Sequence, residues 1–315
     1  GAIWLEGSPF VEETTYWLNL LIDTAVPICG NSSQRPHGAI ANDGDRNIVD
    51  SVNYITSHIW ADESGRDCVG AVAILDEQIF TSRDVQKSDA RPGGYVTTGG
   101  HGGIIGRMGH PGAPQLSFKP VKRHTHNSAV NLNQLPREVQ GSKVQGSKVG
   151  TIAVAIKGAE GNLLSSAIPK VTIVKHARYL PEDTSGDASS EVDILARIEN
   201  NLRAAPLAGF VAEGSAPFGA MSNSVDAALK RAVFSGMPVV KVGRGNAGGF
   251  VDPTRDPLAI AGSNLTATKA RLLLMAGLMK FGCLPPAVEA AQPTPAEVEA
   301  TKTKLKQYQE VFDTH

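Results

Sequence analysis

Ser8 and Lys87 are the two side chains whose positions in the sequence best suggest chemistry. Ser8 follows the apolar run Ala2-Ile3-Trp4-Leu5 and precedes a stretch with helical character. Open α/β sheets bind ligands where a strand ends and a helix begins, and the helix N-terminus favours an anionic group. The competing interpretation is structural: Ser8 caps the helix and Pro9 is its first residue. Taken alone, the local sequence favours the capping role.

Lys87 closes the segment Ser82-Arg-Asp-Val-Gln-Lys87, which follows an apolar run at 72–75. A lysine just beyond a sheet edge and near carboxylates can transfer protons. A solvated surface lysine is the more common alternative. Asp43, Gly44 and Asn47 form an Asx-rich turn before a helix, and this pattern predicts a capping role for them.

The histidines do not predict a metal site. His124 and His126 would share one face of a strand, but no acidic or cysteine partner lies at a useful spacing. We therefore expect strand-surface histidines and no metal. His101 and His110 lie in a glycine-rich stretch at 91–113, where they have no orienting partner.

The glycine-rich stretch also fails as a nucleotide-binding loop. Gly100 and Gly102 would require a third glycine at the position that Ile105 occupies, and no GKS or GKT sequence follows. The composition predicts irregular backbone, either a loop or an extended crossover. No cofactor is expected.

Apolar runs alternate with helical stretches along most of the chain, which predicts an α/β fold with mostly parallel sheets. The tandem repeat Gln140-Gly-Ser-Lys-Val144 and Gln145-Gly-Ser-Lys-Val149 is polar and favours a surface insertion or linker. It suggests a domain boundary. We predict two α/β domains, 1–135 and 169–315, separated by an insertion or linker at 136–168.

The overall composition is that of an ordinary globular protein, with 41% hydrophobic and 19% charged residues and a net charge of −1. A near-neutral chain without a long apolar run argues against nucleic-acid and membrane partners. Cys29, Cys68 and Cys283 are scattered, which favours unpaired thiols in a reducing compartment such as the cytoplasm.

Several segments together resemble the bacterial-type L-asparaginase/glutaminase amidohydrolases. Gly1 to Thr14 is similar to the strand and HGTDTxEET segment of that family, and Asn42 to Asn47 to its ADGxxN turn. Three further matches follow in the family's order: Ser82 to Lys87 (ARDVTK), Val121 to Thr125 (RKHT), and Ala261 to Leu265 with Lys269 to Leu273 (SGxLNPxKARxLL).

The resemblance implies two α/β domains and the hydrolysis of a small carboxamide to an acid and ammonia. In that family a threonine hydroxyl attacks the amide carbon and forms an acyl-enzyme. A second set of Thr, Asp and Lys residues transfers protons and contacts the substrate. The resemblance also implies an oligomer, usually a dimer of dimers.

Three departures from the family pattern bear on the substrate. The opening TGGTI-type segment, which carries a nucleophilic threonine, has no counterpart in the sequence. Ser8 keeps a hydroxyl at the matching position of HGTDT, but Pro9 replaces the aspartate. Phe218 falls where the GxGNG substrate loop has an amide. Lys87 is retained. The resemblance therefore implies Ser8 and Lys87 as catalytic residues, and Pro9, Phe218 and Asp43 as residues lining the substrate site.

Two functions remain open at this point. The first is an amidohydrolase that acts on an amide or cyclic amide other than L-asparagine. A smaller N-terminal chain would carry its nucleophilic threonine and fill the exposed first-strand position of the sheet. The second is a non-catalytic, asparaginase-like binding or regulatory subunit, which the replacements Pro9 and Phe218 favour.

Overall fold

The computed structural model describes residues 1–97, 103–109, 113–146, 148–175, 185–244, 251–252 and 254–315. The chain divides into two compact units, one formed by Gly1–Asn133 with His315 and the other by Gln134–Thr314. His101 and His110 lie outside the described residues, as do parts of the glycine-rich stretch and one position of the tandem repeat.

The first unit is built on a six-stranded sheet with the order β1-β2-β3-β4-β7-β8. The first three strands are parallel and the remaining pairs are antiparallel. A separate antiparallel pair joins β5 and β6. The elements are β1 (Ala2–Leu5), α1 (Val11–Leu21), β2 (Ile28–Asn31), α2 (Gly44–Ser57), β3 (Val72–Leu75), β4 (Gln78–Thr81), β5 (Val85–Lys87), β6 (Tyr95–Thr97), β7 (Ile104–Arg107) and β8 (Gln115–Leu116).

Close packing of α1 against β2 brings the start of the first helix near the sheet. A side chain at Gly30 would clash with the hydroxyl of Thr15, so the approach of helix to strand depends on glycine at this position. One core cluster of this unit then joins the helix, the sheet and the β5–β6 pair: Val11, Ala73, Leu75, Phe80, Val85 and Tyr95. The small β5–β6 pair is thus anchored to the core.

The second unit has a parallel four-stranded sheet with the order β11-β12-β13-β14, and an antiparallel pair β9–β10. The elements are β9 (Glu138–Gln145), β10 (Lys148–Ala155), β11 (Lys170–Lys175), α3 (Val192–Ala204), β12 (Ala208–Gly214), α4 (Asn223–Phe234), β13 (Val239–Gly243), β14 (Ile260–Ala261), α5 (Ala267–Phe281) and α6 (Pro295–Thr314). Thr294 and Glu297 form a capping box at the start of α6.

The α/β fold is confirmed, with one correction. The sheet of the second unit is parallel, but that of the first is mixed, because β4, β7 and β8 run antiparallel to their neighbours. Within the described residues, the tandem repeat is not an irregular linker: it lies in the β9–β10 pair and belongs to the second unit. None of the described helices is long and apolar enough to cross a membrane.

Candidate active site

Ser8 lies in the turn that joins β1 to α1, and it does not cap the helix. The helix begins at Val11 with Phe10 at the N-cap position, where no side chain forms a cap hydrogen bond. The turn is closed by the backbone N–H groups of Phe10 and Val11, which donate to the carbonyl of Gly7 at 3.0 and 3.3 Å. The capping interpretation of Ser8 is therefore wrong, and its hydroxyl has another partner.

That partner is Lys87, whose Nζ donates to the Oγ of Ser8 at 2.5 Å. Both residues are half-buried. The backbone N–H of Lys87 also donates to the carboxylate of Glu12 on α1, which fixes the strand against the helix. Within the described residues, no carboxylate forms an ion pair with the Lys87 ammonium. The structure thus brings together the two residues that the sequence selected as a hydroxyl–amine pair.

Tyr95 is a third residue at this site, because it binds the backbone of Ser8. No motif in the sequence pointed to it. It lies directly across from Lys87 in the β5–β6 register. Its hydroxyl donates to the carbonyl oxygen of Ser8 at 2.9 Å and lies 2.9 Å from the Oγ of Ser32. Burial raises the pKa of Tyr95 to about 12, although hydrogen bonds to Ser32 and Ser8 oppose the shift. The phenol therefore stays protonated, and a hydrogen-bond donor, at neutral pH.

Asp43 uses its carboxylate to hold a neighbouring loop. It accepts hydrogen bonds from the backbone N–H groups of Gln34 and Arg35 at 2.9 to 3.0 Å, and from the hydroxyl of Ser33 at 3.1 Å. Burial alone would raise the pKa of Asp43, but these hydrogen bonds outweigh it and lower the pKa. The expected capping role is not observed, because no side chain caps α2 at this position.

Asn47 has a structural role of its own. Its side chain donates to the carbonyl of Ser32 at 2.9 Å and accepts from the backbone N–H of Asp76 at 3.0 Å. It therefore ties the residue after β2 to the turn that follows β3. The contribution of Asp43 to substrate binding stays a prediction.

Pro9 and Phe218 lie in different units. Pro9 is exposed beside Ser8. The Phe218 ring contacts the guanidinium of Arg255, which lies 4.1 Å from the ring centroid. Phe218 also borders a cavity of about 500 Å³ in the second unit, whose charged side chains are Asp226, Lys230, Lys241, Asp252, Arg255 and Asp256. Substrate contacts of Pro9 and Phe218 stay predictions.

The expectation of strand-surface histidines is wrong for His124. This residue is 5% exposed and precedes a 3₁₀ turn at Thr125–Asn127. Burial, together with the nearby His126 and His315, lowers the pKa of His124 to about 4, so the ring is neutral at pH 7. Among the described residues, no group of three or more His, Cys, Asp or Glu side chains is arranged to hold a metal ion. The three cysteines are unpaired.

Comparison with known proteins finds that the segment containing this site is similar to asparaginases. Residues 1–104, which contain Ser8, Lys87 and Tyr95, match the model of the family described as asparaginase, N-terminal. The chain is 28% identical over 150 residues to a glutaminase-asparaginase of Acinetobacter glutaminasificans, a match that covers 47% of this chain and 41% of that protein. It is 24% identical over 286 residues to a glutaminase-asparaginase of Pseudomonas fluorescens biotype A, covering 89% and 64%.

A solved structure extends the likeness in fold to nearly the whole chain. The probable cytoplasmic L-asparaginase from Campylobacter jejuni is 21% identical, with a TM-score of 0.67, and the match covers 99% of this chain and 79% of that one. The matches to the first curated relatives span only 41 to 51% of those proteins' lengths. The family model, the relatives and the shared fold agree with the motifs in the sequence, and together they support the assignment of this chain to the asparaginase family at low identity.

Proposed function

We propose that this chain belongs to an amidohydrolase that cleaves the C–N bond of a carboxamide or cyclic amide through a hydroxyl nucleophile and an acyl-enzyme. The observation that carries the proposal is the 2.5 Å hydrogen bond between Lys87 Nζ and Ser8 Oγ. A lysine amine bonded to a hydroxyl can accept a proton when that hydroxyl reacts, as Ser–Lys catalytic pairs do. The names of the relatives, glutaminase-asparaginase and L-asparaginase, support the same reaction class.

The proposed roles follow from the direction of proton flow. The uncharged form of Lys87 takes a proton from the Ser8 hydroxyl. Ser8 in turn takes a proton from the hydroxyl that attacks the amide, which belongs to a threonine on a second segment. The tetrahedral intermediate then collapses as the lysine ammonium returns a proton, through Ser8, to the departing amine. Water hydrolyses the resulting ester and regenerates the free hydroxyl. General acid–base catalysis of this kind contributes about 10²- to 10⁴-fold to the rate.

We propose a substrate other than L-asparagine. Within the described residues, no carboxylate forms an ion pair with the Lys87 amine, and the nearby Glu12 carboxylate accepts from the Lys87 backbone N–H instead. Pro9, which stands in place of an acidic residue, cannot bind a substrate ammonium. An amide without a free α-amino group fits such a site better than an amino acid does. Strong hydrolysis of L-asparagine by the purified protein would contradict this proposal.

We further propose that a second segment completes the site and supplies the main nucleophile, a threonine on a smaller chain. Among the described residues, β1 pairs only with β2, which leaves its other edge open. Trp4 and Leu5 on that strand are 43% and 61% exposed. An open apolar edge favours the addition of a strand. A dimer of dimers and a cytoplasmic location are part of the same proposal.

A mass measurement tests the second segment. The natively purified protein would be denatured and its intact mass determined. A second, smaller polypeptide with a threonine in a glycine-rich loop would support the two-chain enzyme. A single species of 33.1 kDa would contradict it.

The alternative function is a non-catalytic binding or regulatory subunit, which the presence of Pro9 beside Ser8 favours. Lys87→Met separates the two functions. An enzyme should lose about 10²- to 10⁴-fold in kcat/KM for ammonia release or ring opening across a panel of amides. Lys148→Met, at an exposed position of β10, is the matched control and should leave turnover unchanged. No turnover of any amide by the wild-type assembly would support the non-catalytic subunit.

A further inference from the structure

Ser8 is bound by Tyr95 as well as by Lys87, through a separate hydrogen bond to a different atom. Lys87 and Tyr95 are paired residues on β5 and β6. Side chains of directly paired residues project from the same face of an antiparallel pair, with Cβ atoms about 4.5–5.5 Å apart. Lys87 binds the side-chain oxygen of Ser8, and Tyr95 binds its backbone oxygen. One cross-strand pair therefore contacts both ends of the same serine.

The hydrogen-bond directions around Tyr95 are fixed by the groups involved. The Ser8 carbonyl can only accept, so the single phenolic proton must be donated to it. The hydroxyl of Ser32 must then donate to the phenolic oxygen, 2.9 Å away. The carbonyl of Ser32 is itself bound by the buried side chain of Asn47. These bonds form an ordered chain from α2 through the end of β2 to the turn that carries Ser8.

The ring of Tyr95 supplies the rigidity that this chain of bonds requires. Tyr95 is 6% exposed and packs in the same core cluster as Val11, the first residue of α1, and Val85 on β5. In the part of the chain that the structure describes, the backbone hydrogen bonds that close the Ser8 turn both end on the carbonyl of Gly7, and neither uses the Ser8 carbonyl. Without the phenol, the Ser8 carbonyl would have no hydrogen-bond partner among the described residues.

We propose that Tyr95 is a positioning residue, which fixes the Ser8 peptide so that the serine hydroxyl stays within hydrogen-bond reach of the Lys87 amine. The proposal rests on the proposed function for its catalytic consequence, but its geometric content does not. A displacement of about 1 Å at a reacting centre can lower a rate by about 10²-fold. Tyr95→Phe removes the phenolic hydroxyl and keeps the ring in the core.

Tyr54→Phe is the matched control. Tyr54 on α2 is fully buried, and its hydroxyl has no hydrogen-bond partner among the described residues. Both substitutions therefore delete one buried phenolic hydroxyl, but only Tyr95→Phe releases the Ser8 peptide. Ser32→Ala is an intermediate case, since it removes the donor to Tyr95 and leaves the bond from Tyr95 to Ser8 in place.

The test follows the reactivity of the Ser8 hydroxyl itself. The rate at which phenylmethanesulfonyl fluoride labels Ser8 would be measured by peptide mass spectrometry from pH 6 to about 10 on the natively purified protein. We expect Tyr95→Phe to slow labelling by about 10- to 100-fold, Ser32→Ala to slow it less, and Tyr54→Phe to leave it unchanged. With an amide substrate, kcat should fall in the same order while KM changes little.

The outcomes separate this proposal from the proposed function. Labelling that depends on Tyr95, without any amide turnover, would support the positioning role and contradict the amidohydrolase. Equal labelling of wild type and Tyr95→Phe, or an equal effect of Tyr54→Phe, would overturn the positioning role. Absence of any Ser8 labelling in the wild-type protein would overturn it as well, because there would be no activated hydroxyl to position.

Discussion

Two partly buried lysines, one in each unit, show how the partner of an amine determines its use. Lys87 in the first unit donates to a hydroxyl, Ser8 Oγ, at 2.5 Å. Lys241 in the second unit lies between two carboxylates, 2.9 Å from Asp226 and 2.8 Å from Asp256. A hydroxyl can exchange a proton with an amine, whereas two carboxylates hold the amine in its charged form. We infer that Lys87 serves chemistry and Lys241 serves stability.

The direction of the Lys241 pKa shift supports this contrast. Burial alone would lower the pKa of Lys241, but the hydrogen bond to Asp256 and the charges of Asp226 and Asp256 outweigh it and raise the pKa. Lys241 therefore remains charged through the pH range in which a proton-transfer group would have to change its state.

Replacement of Lys241 gives the largest expected effect on stability. Lys241→Met would leave Asp226 and Asp256 close together without a cation. We expect it to lower the free energy of unfolding of the second unit by about 2–3 kcal/mol, below the range for a fully buried pair because both carboxylates are partly exposed. Chemical denaturation would measure the change.

Lys241→Met should have no effect on the reactivity of Ser8 in the first unit. Sulfonyl-fluoride labelling of Ser8 should be unchanged in Lys241→Met and abolished in Lys87→Met. Lys87→Met should in turn leave the unfolding of the second unit unchanged. A loss of Ser8 labelling in Lys241→Met would break the separation of the two roles.

The pH dependence of the Lys241 contribution is a smaller effect with a defined sign. The Lys241 pKa is raised, so its contribution is complete below about 10.4, the unfolded value, and is lost as the pH rises through the folded pKa. Although burial alone would raise the pKa of Asp256, the hydrogen bond to Lys241 lowers it. The contribution of Asp256 is therefore present above about 3.9 and lost as the pH falls through its folded pKa.

The difference in unfolding free energy between wild type and Lys241→Met should therefore form a plateau between about pH 5 and 10. It should decrease at both ends. A difference that rises or falls steadily across this range would show that the two carboxylates do not hold the amine as described.

Asp43→Asn is expected to have the smallest effect, and it distinguishes a structural carboxylate from a substrate-binding one. The carboxylate holds the loop at 33–35 through backbone hydrogen bonds. The asparagine keeps one acceptor oxygen, so the free energy of unfolding should fall by only about 1 kcal/mol. Thermal unfolding would measure the change. Because the pKa of Asp43 is lowered, wild type should lose this advantage as the pH falls through that pKa.

Kinetics of the same variant test the sequence-based role. If Asp43 only holds the loop, KM for an amide substrate should change by less than about twofold, which corresponds to about 0.4 kcal/mol. A much larger rise in KM without a loss of stability would restore Asp43 as a substrate-binding residue.

The α/β fold was predictable because apolar runs and stretches of helical character alternate along the chain. The hairpin from β3 to β4 was not predicted. Its turn is formed by Asp76 and Glu77, both with positive φ, at 51° and 60°. Hairpin turns of this kind are usually recognised from an Asn-Gly or Asp-Gly pair, and this one contains no glycine. The mixed character of the first sheet was therefore not apparent.

The candidate site was predictable only in part. Ser8 and Lys87 were selected from family motifs, but their hydrogen bond depends on a turn that begins the helix at Val11 rather than at Pro9. Tyr95 was missed because its role depends on the register that pairs it with Lys87 across a glycine-rich hairpin. An isolated tyrosine in such a segment carries no signal of that register.

A double-mutant cycle in Ser8 and Lys87 tests the central claim most directly. The value of kcat/KM for amide hydrolysis would be measured for wild type, Ser8→Ala, Lys87→Met and the double variant. Residues that act as one unit have non-additive effects. We therefore predict that each single variant loses about 10²- to 10⁴-fold and that the double variant loses no more. Additive losses, or full activity in Ser8→Ala, would contradict the account of a coupled hydroxyl–amine pair.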